Sequence, residues 1–282
     1  MQLLTLSDHT SEQINAAQSQ RALQYKTAVE SYNNALTAID SKKRRAKMHL
    51  ANAWKQRQLW YSFTRFWGLL GAYAVFKPSR PFMQSAGDRE NIWSAGNQGE
   101  KRVEDFLSRQ LDHTWTLVSG YKNAKGEIDQ VLVGPNGIFA IEIKYNNGTV
   151  YCDGDRWWRD KFDKYGNLVQ RNVQIADKRG RSPSRQVNEA SDLLQSFLQK
   201  RFQLPRVHRA VIWSHEKSRL GGLNNLTVDY TAVLHDWDLN RFLKRSTHTL
   251  TSEEQGQILH AIQKDHAYYN QPRKASSAST RL

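Results

Sequence analysis

From Gly126 to Lys144 the chain reads GEIDQVLVGPNGIFAIEIK, two β-branched apolar runs, Ile128 to Val133 and Ile138 to Ile143, either side of Gly134-Pro135-Asn136-Gly137. Runs of this kind bounded by turn residues predict a tight antiparallel hairpin. Trp115 to Ser119 predicts a strand leading into it, and Gly148 to Arg159 a further strand or hairpin. Val207 to Trp213 and Leu226 to Leu234 predict two more strands on either side of a Gly221–Asn225 loop. Helical spacing carries the remaining apolar positions. Val103, Phe106, Leu107 and Leu111 follow a helix opening at Gly99, and Val187, Ala190, Leu193, Leu194, Phe197 and Leu198 follow one opening at Gln186 and closed by Pro205. Two shorter helices are expected around Asp238–Lys244 and Glu253–Ala267. The fold class this predicts is α/β, with a central mixed, largely antiparallel sheet flanked by helices.

The N-terminal quarter has a different texture. From Ser11 to Tyr61 there is no proline or glycine, and Ala, Gln, Lys and Arg dominate, which predicts a long helix or a helical hairpin. Ala22, Tyr25, Val29, Tyr32, Leu36 and Ile39 alternate at spacings of three and four, as in a coiled-coil seam. That stripe suits either a protein partner or second copy, or docking on the chain's own domain. Lys42-Lys43-Arg44-Arg45 and Lys47 are followed by Trp54, Trp60, Phe63, Phe66 and Trp67, then by an apolar stretch from Gly68 to Phe76. Basic residues beside aromatics fit contact with phosphates or with a membrane interface, and a charge run also fits a solvated helix face. The uncharged stretch after Arg65 is shorter than the roughly 20 residues a membrane span needs, so no span is expected and peripheral contact stays open. Lys77 to Asn91, with Pro78, Pro81 and Gly87, reads as a linker. The expected organisation is a helical arm over 1–76, a linker over 77–92, a domain over 93–270 and a disordered basic tail over 271–282.

A net charge of +14 and a pI near 9.8 imply a polyanionic partner, nucleic acid or an acidic membrane surface, and argue against a basic substrate. The single cysteine, Cys152, excludes an internal disulfide. With no Cys/His cluster at zinc spacing and no secretory signal, a cytoplasmic location is the simplest expectation. His208, His215, His235 and His260 have no ligand spacing and read as structural. Asp153 and Asp155 resemble the start of a calcium loop, but the glycine and distal glutamate such a loop requires do not follow.

Three charged residues interrupt the central hairpin: Asp129 in its first strand, Glu142 and Lys144 in its second, the latter two on one face. Buried charge is costly unless paired or metal-bound, so these positions mark a candidate site. A two-residue loop at Pro135-Asn136 places Asp129 across from Glu142. A type I turn with Gly137 as a bulge slips the pairing by one, and a bend near Asp129 restores the convergence. The sequence leaves both registers open.

Asp129 followed by Glu142-Ile143-Lys144 resembles the PD-(D/E)xK nuclease signature. A longer ordered set is similar to the nuclease-related domain, NERD: Gly96-Asn97-Gln98-Gly99-Glu100, Gly126-Glu127-Ile128-Asp129, Gly137-Ile138-Phe139, Ile141 to Lys144, Gly148, Trp157 or Trp158, and Ser182-Pro183-Ser184-Arg185-Gln186. Ile128 replaces the proline of the signature, and Ser182 stands where NERD sequences often carry Asn. The resemblance implies a restriction-endonuclease-like core and a metal-dependent nuclease cutting DNA, with internal bonds the expected target. Asp129 and Glu142 would hold Mg²⁺, or Mn²⁺ in its place, since hard cations take carboxylate oxygen and keep several waters. Lys144 would orient or help deprotonate the attacking water and stabilise charge on the phosphate. Glu100 would add a carboxylate at the metal and Gln186 would position water or substrate; for Glu100, favourable placement in a first helical turn is an equal explanation. Arg156, Trp158 and Arg159, with Lys178, Arg179, Arg181 and Arg185 from a polar loop expected over Asp160–Arg185, are candidates for the nucleic-acid surface, with core packing and plain solubility as competing explanations. Two other functions stay open: a non-catalytic nucleic-acid-binding module, and a membrane-peripheral scaffold acting through the helical arm.

Overall fold

The computed structural model describes residues 1–57, 59–163, 165–202, 206–221, 227–228, 230–246 and 249–271. Pro205, the Gly221–Asn225 loop beyond its first residue, and the tail after Gln271 lie outside the described residues. The chain divides into two compact units, residues 13–90 and residues 1–12 with 91–282.

In chain order the elements are β1 (Gln2–Thr5), α1 (His9–Lys55), α2 (Leu59–Tyr73), α3 (Asp88–Gln110), β2 (Thr116–Asn123), β3 (Gly126–Gly134), β4 (Gly137–Lys144), β5 (Gly148–Asp153), β6 (Arg156–Phe162) and β7 (Leu168–Gln174). They continue with α4 (Pro183–Gln199), β8 (His208–Trp213), β9 (Ser218–Leu220), β10 (Thr227–Val228), β11 (Thr231–His235), α5 (Leu239–Leu243) and α6 (Ser252–Asn270). Seven strands form the main sheet in the order β1-β2-β3-β4-β8-β11-β10, and four form a second sheet in the order β7-β6-β5-β9. The main sheet is mixed. The hairpin half, β2-β3-β4, is antiparallel, whereas β4-β8 and β8-β11 run parallel.

Helices cover both faces of this sheet, which is why β3 and β4 are apolar at nearly every position rather than alternating. On one face Val131, Val133, Ile138, Ala140, Val211 and Val233 pack with Val187, Ala190 and Leu194 of α4 and Ile258 and Ile262 of α6. On the other, Leu117, Leu132, Phe139, Ile141 and Ile212 pack with Val103 and Leu107 of α3 and with Leu239 and Phe242 of α5. The α/β class, the mixed sheet and its helical flanks are as the sequence predicts.

Several local expectations differ. Residues 2–5, expected within the helical arm, pair in parallel with Thr116–Ser119 at the sheet edge. The helix expected at Gly99 begins at Asp88, with Asp88 and Glu90 in its first turn where they complement the helix dipole. Gly96 and Gly99 lie inside it. Gly99 allows close packing, because a Cβ there would sit 2.7 Å from Tyr145 Cβ. The loop expected over Asp160–Arg185 instead contains the end of β6 and all of β7, a pairing whose exposed, polar residues give little apolar alternation to read.

One irregularity shapes the site. β2 pairs with β3 up to Ser119↔Gln130 and resumes at Tyr121↔Ile128, with Gly120 and Asp129 left between. Val118 and Tyr121, and likewise Val131 and Ile128, share one core face although each pair is three residues apart, so both strands break alternation there. Gly120 adopts φ +69° and a Cβ on it would lie 2.2 Å from the Ser7 carbonyl oxygen. Gly120→Ala is therefore expected to lower unfolding stability by roughly 2 kcal/mol or more, read by urea denaturation.

In the unit of residues 13–90, α1 and α2 supply the regular structure before α3 begins. Of the seam positions, Ala22 and Tyr25 are exposed and Val29, Tyr32, Leu36 and Ile39 are half-buried. Among the described residues, no helix is long and apolar enough to cross a membrane.

Candidate active site

The hairpin closes with Gly134 opposite Gly137, a two-residue loop, and its ladder runs to Gln130↔Ile141. One more step would put Asp129 opposite Glu142, but backbone pairing stops before it. The Ile143 N–H donates instead to Asp129 Oδ2 at 2.6 Å. A side-chain carboxylate thus takes the bond a neighbouring carbonyl would have accepted, and the strands part around it. Glu142 and Lys144 continue the face of Ile138 and Ala140 toward α4. Lys144 Nζ donates to Glu142 Oε1 at 2.5 Å and to Gln186 Oε1 at 3.3 Å. Asp129, Glu142, Lys144 and Gln186 therefore meet where β3, β4 and the start of α4 converge.

Gln186 is delivered by a firmly capped helix. Ser182 is the N-cap, accepting from the Arg185 N–H at 3.0 Å, and Pro183 occupies the first turn, where its missing N–H costs nothing. The helix expected to begin at Gln186 thus begins three residues earlier, on a Ser-Pro start signal. Asp155, in the β5–β6 turn, accepts hydrogen bonds from both Ser182 and Ser184, and Trp157 Nε1 donates to Ser184 Oγ at 3.0 Å. Trp157 is buried against Trp213 with ring centroids 6.0 Å apart. The second sheet so fixes the end of α4 that faces Lys144.

Burial, with the charges of Glu142 and Glu100 behind it, raises the Asp129 carboxyl well above its ordinary range. Burial, then Glu127, Asp8 and Glu142, raises Glu100 on α3 to about 7. For Lys144 burial opposes the charged form, but Glu142 and Asp129 outweigh it and the ammonium is held above its usual value. The cluster is short of positive charge, a condition a cation relieves.

Residues 95–214 match the family model of the nuclease-related domain. That stretch is similar to a NERD domain. This is a PD-(D/E)xK-like nuclease family, and the matched stretch contains every residue of the cluster just described. No curated protein and no solved structure matches the chain.

Among the described residues of the matched stretch and the rest of the chain, no group of three or more His, Cys, Asp or Glu side chains is placed to hold a metal ion. Glu100, expected as a third carboxylate, does not complete such a set with Asp129 and Glu142, and Glu142 is engaged by Lys144. The Asp129–Glu142 pair still fits a hard divalent cation. Its donors are all oxygen, its carboxylates repel, and Mg²⁺ needs only one or two protein carboxylates beside its waters.

The residues expected on a nucleic-acid surface divide in two. Arg181 is taken up inside the domain, donating to Asp177 at 2.8 Å and to Glu189 at 3.4 Å, and Arg159 donates to the Asn147 carbonyl at 2.9 Å. Trp158 is half-buried, stacked on Tyr151. Lys178, Arg179, Arg185 and Arg156 are exposed, the last two paired with Glu189 and Asp153. A cleft of about 740 Å³ that sequence reading missed lies along α3, lined by Lys101, Arg102, Arg109, Tyr145 and Trp237 among others. Arg102 Nε is fixed on Asp236 at 2.8 Å. The signal was present in the spacing of Lys101, Asp105 and Arg109, one helical stripe, but Trp237 reaches it only through the fold. Asp155 was missed because its role depends on contact across 27 and 29 residues of sequence.

Two outcomes are expected. Asp155→Ala strips partners from two buried hydroxyls and should cost about 1–3 kcal/mol in chemical denaturation. Glu100 keeps in the folded chain a proton that the unfolded chain has lost between its ordinary 4.5 and about 7, so its contribution to stability declines as pH rises through that window. In EDTA, Glu100→Gln should match the wild type near pH 4 and exceed it by about 1–2 kcal/mol at pH 8, read from urea midpoints.

Proposed function

We propose that this NERD-like domain is a metal-dependent endonuclease that hydrolyses DNA phosphodiester bonds. The observation that carries the reading is the convergence of Asp129, Glu142, Lys144 and Gln186 where the hairpin ladder ends. Asp129 and Glu142 would hold Mg²⁺, or Mn²⁺, which when bound supplies a Lewis acid for the phosphate and a source of activated water. Glu100, with a carboxyl titrating near neutrality, would act from the second rank, through water.

Lys144 is kept protonated by the two carboxylates beside it, which favours a donor over a base. Its ammonium orients the attacking water and stabilises the charge that grows on the non-bridging phosphate oxygens. Gln186, anchored by donation from its Nε2 to the Arg181 carbonyl at 3.1 Å, holds that ammonium in place with its Oε1. Water oxygen bonds to phosphorus, one P–O ester bond breaks, the leaving oxygen takes up a proton, and the attacking water's proton passes to solvent. The basic, aromatic-lined cleft beside Tyr145, the residue after Lys144, offers a path for the substrate backbone.

Plasmid and single-stranded DNA cleavage with Mg²⁺, with Mn²⁺ and with EDTA tests the reading. Asp129→Ala, Glu142→Ala and Lys144→Ala should each lose about a hundredfold or more in rate with the circular dichroism spectrum unchanged. Wild-type rates in all three, or cleavage undiminished by EDTA, would overturn it. The Lys144–Glu142 ion pair, and the lack of a three-carboxylate set among the described residues, favour a second reading, a binding module without turnover, which predicts salt-sensitive DNA binding and no metal-dependent cleavage.

A further inference from the structure

The helix α2 has its side chains inside out for a helix in water. Its small residues Ser62 and Ala72 are buried, while Trp60, Phe63 and Trp67 stand 79%, 57% and 61% exposed. Those three lie at i, i+3 and i+7 and touch in sequence, ring centroids 6.3 Å apart for Trp60–Phe63 and 6.4 Å for Phe63–Trp67. Phe66 and Leu70, one turn on from Phe63 and Trp67, are exposed too, as is Trp54 near the end of α1. A continuous patch of this kind signals a partner.

Charge identifies the partner. From Ser41 to Gly87 the chain has ten Lys and Arg residues and no Asp or Glu, so ten of the net fourteen positive charges fall in this segment. Within α2 itself the single charge is Arg65. The rest flank it, and Lys43 and Lys47 of α1 place their ammonium groups 4.9 and 5.7 Å from the Tyr73 ring at the far end of α2. Cations at the margins of a Trp- and Phe-rich apolar face suit an anionic bilayer, where the rings enter the headgroup boundary and the Lys and Arg side chains meet lipid phosphates. A nucleic-acid strand would want cations interleaved along the whole run of rings, and α2 carries one, Arg65, on the Tyr61 ring. A second copy would bring ten like charges against ten. At 15 residues α2 is about 22 Å long, short of the roughly 30 Å hydrocarbon layer, so it lies in the interface and does not cross it.

We infer that the α1–α2 hairpin docks the protein peripherally on anionic phospholipid membranes, with Trp60, Phe63 and Trp67 as its inserted residues. This is a property separate from the nuclease reading.

Cosedimentation of the full chain with vesicles of phosphatidylcholine alone, and of phosphatidylcholine with phosphatidylglycerol, tests it. Binding should require the anionic lipid and weaken about tenfold or more between about 0.1 M and about 0.5 M salt. The triple variant Trp60→Ser, Phe63→Ser, Trp67→Ser should bind about tenfold more weakly or worse, with an unchanged circular dichroism spectrum and undiminished cleavage of free DNA. Asp129→Ala should bind vesicles like the wild type, which keeps failure of this inference distinct from failure of the nuclease reading. In the unmodified chain, brominated lipid should quench tryptophan fluorescence, a readout independent of how the variant folds. No binding to anionic vesicles, equal binding by the triple variant, or absence of quenching would overturn the inference. So would a dimer in sedimentation velocity, or DNA binding, lost in the triple variant while the wild type ignores vesicles.

Discussion

Asp129 and Glu142 face each other where two strands stop pairing, and the electrostatic tension between them governs the architecture around the site. A carboxylate accepts the Ile143 N–H in place of a carbonyl, and a second acid lies across from it, buried. Burial first, and then the charge of Glu142, push the Asp129 carboxyl toward its neutral form, and the neighbouring Lys144 offsets only part of that. The arrangement persists because the strands that carry it are held from both faces. Val131 and Ala140 are locked under α4 and α6, Leu132 and Ile141 under α3 and α5, and neither strand can turn to expose its acid without uncovering apolar core. Stability is given up at one point and secured elsewhere.

The small second sheet has a supporting role that its exposed composition hides. Through Asp155 and Trp157 it grips Ser182 and Ser184, and through them the first turn of α4, whose Gln186 meets Lys144. The chain of contacts runs from a surface turn to the Lys144 ammonium in a few hydrogen bonds. Arg181 strengthens the same junction, tied to Asp177 on one side and to Glu189 on the other. A side chain that composition alone would assign to a phosphate is here a structural clasp.

The two compact units obey opposite rules of surface chemistry. The unit that contains the matched stretch buries most of its large apolar side chains under two helical layers, while the 13–90 unit presents tryptophan and phenylalanine to the outside beside most of the protein's excess positive charge. Net basicity therefore speaks chiefly about the helical unit. The electrostatics of the nuclease-like domain are local, concentrated at its acidic cluster and along the Lys101–Arg109 stripe.

The two apolar runs around Gly134-Pro135-Asn136-Gly137, the helical stripes after Val103 and Val187, and the proline-free N-terminus are legible because hydrophobic periodicity and turn residues act over a few positions. The acids of the hairpin are legible for the same reason, since charge inside a β-branched run stands out. The polar β7, the early start of α3 and the strand at residues 2–5 were not legible, because a partner across the sheet, and not local preference, makes each of them what it is. The sequence by itself determined which charged side chains would interrupt the central strands and that a hairpin would carry them. Only the tertiary structure decided the register at Pro135-Asn136, the break at Gly120 and Asp129, and the meeting of Lys144 with Gln186, because each depends on groups far apart along the chain and near in space.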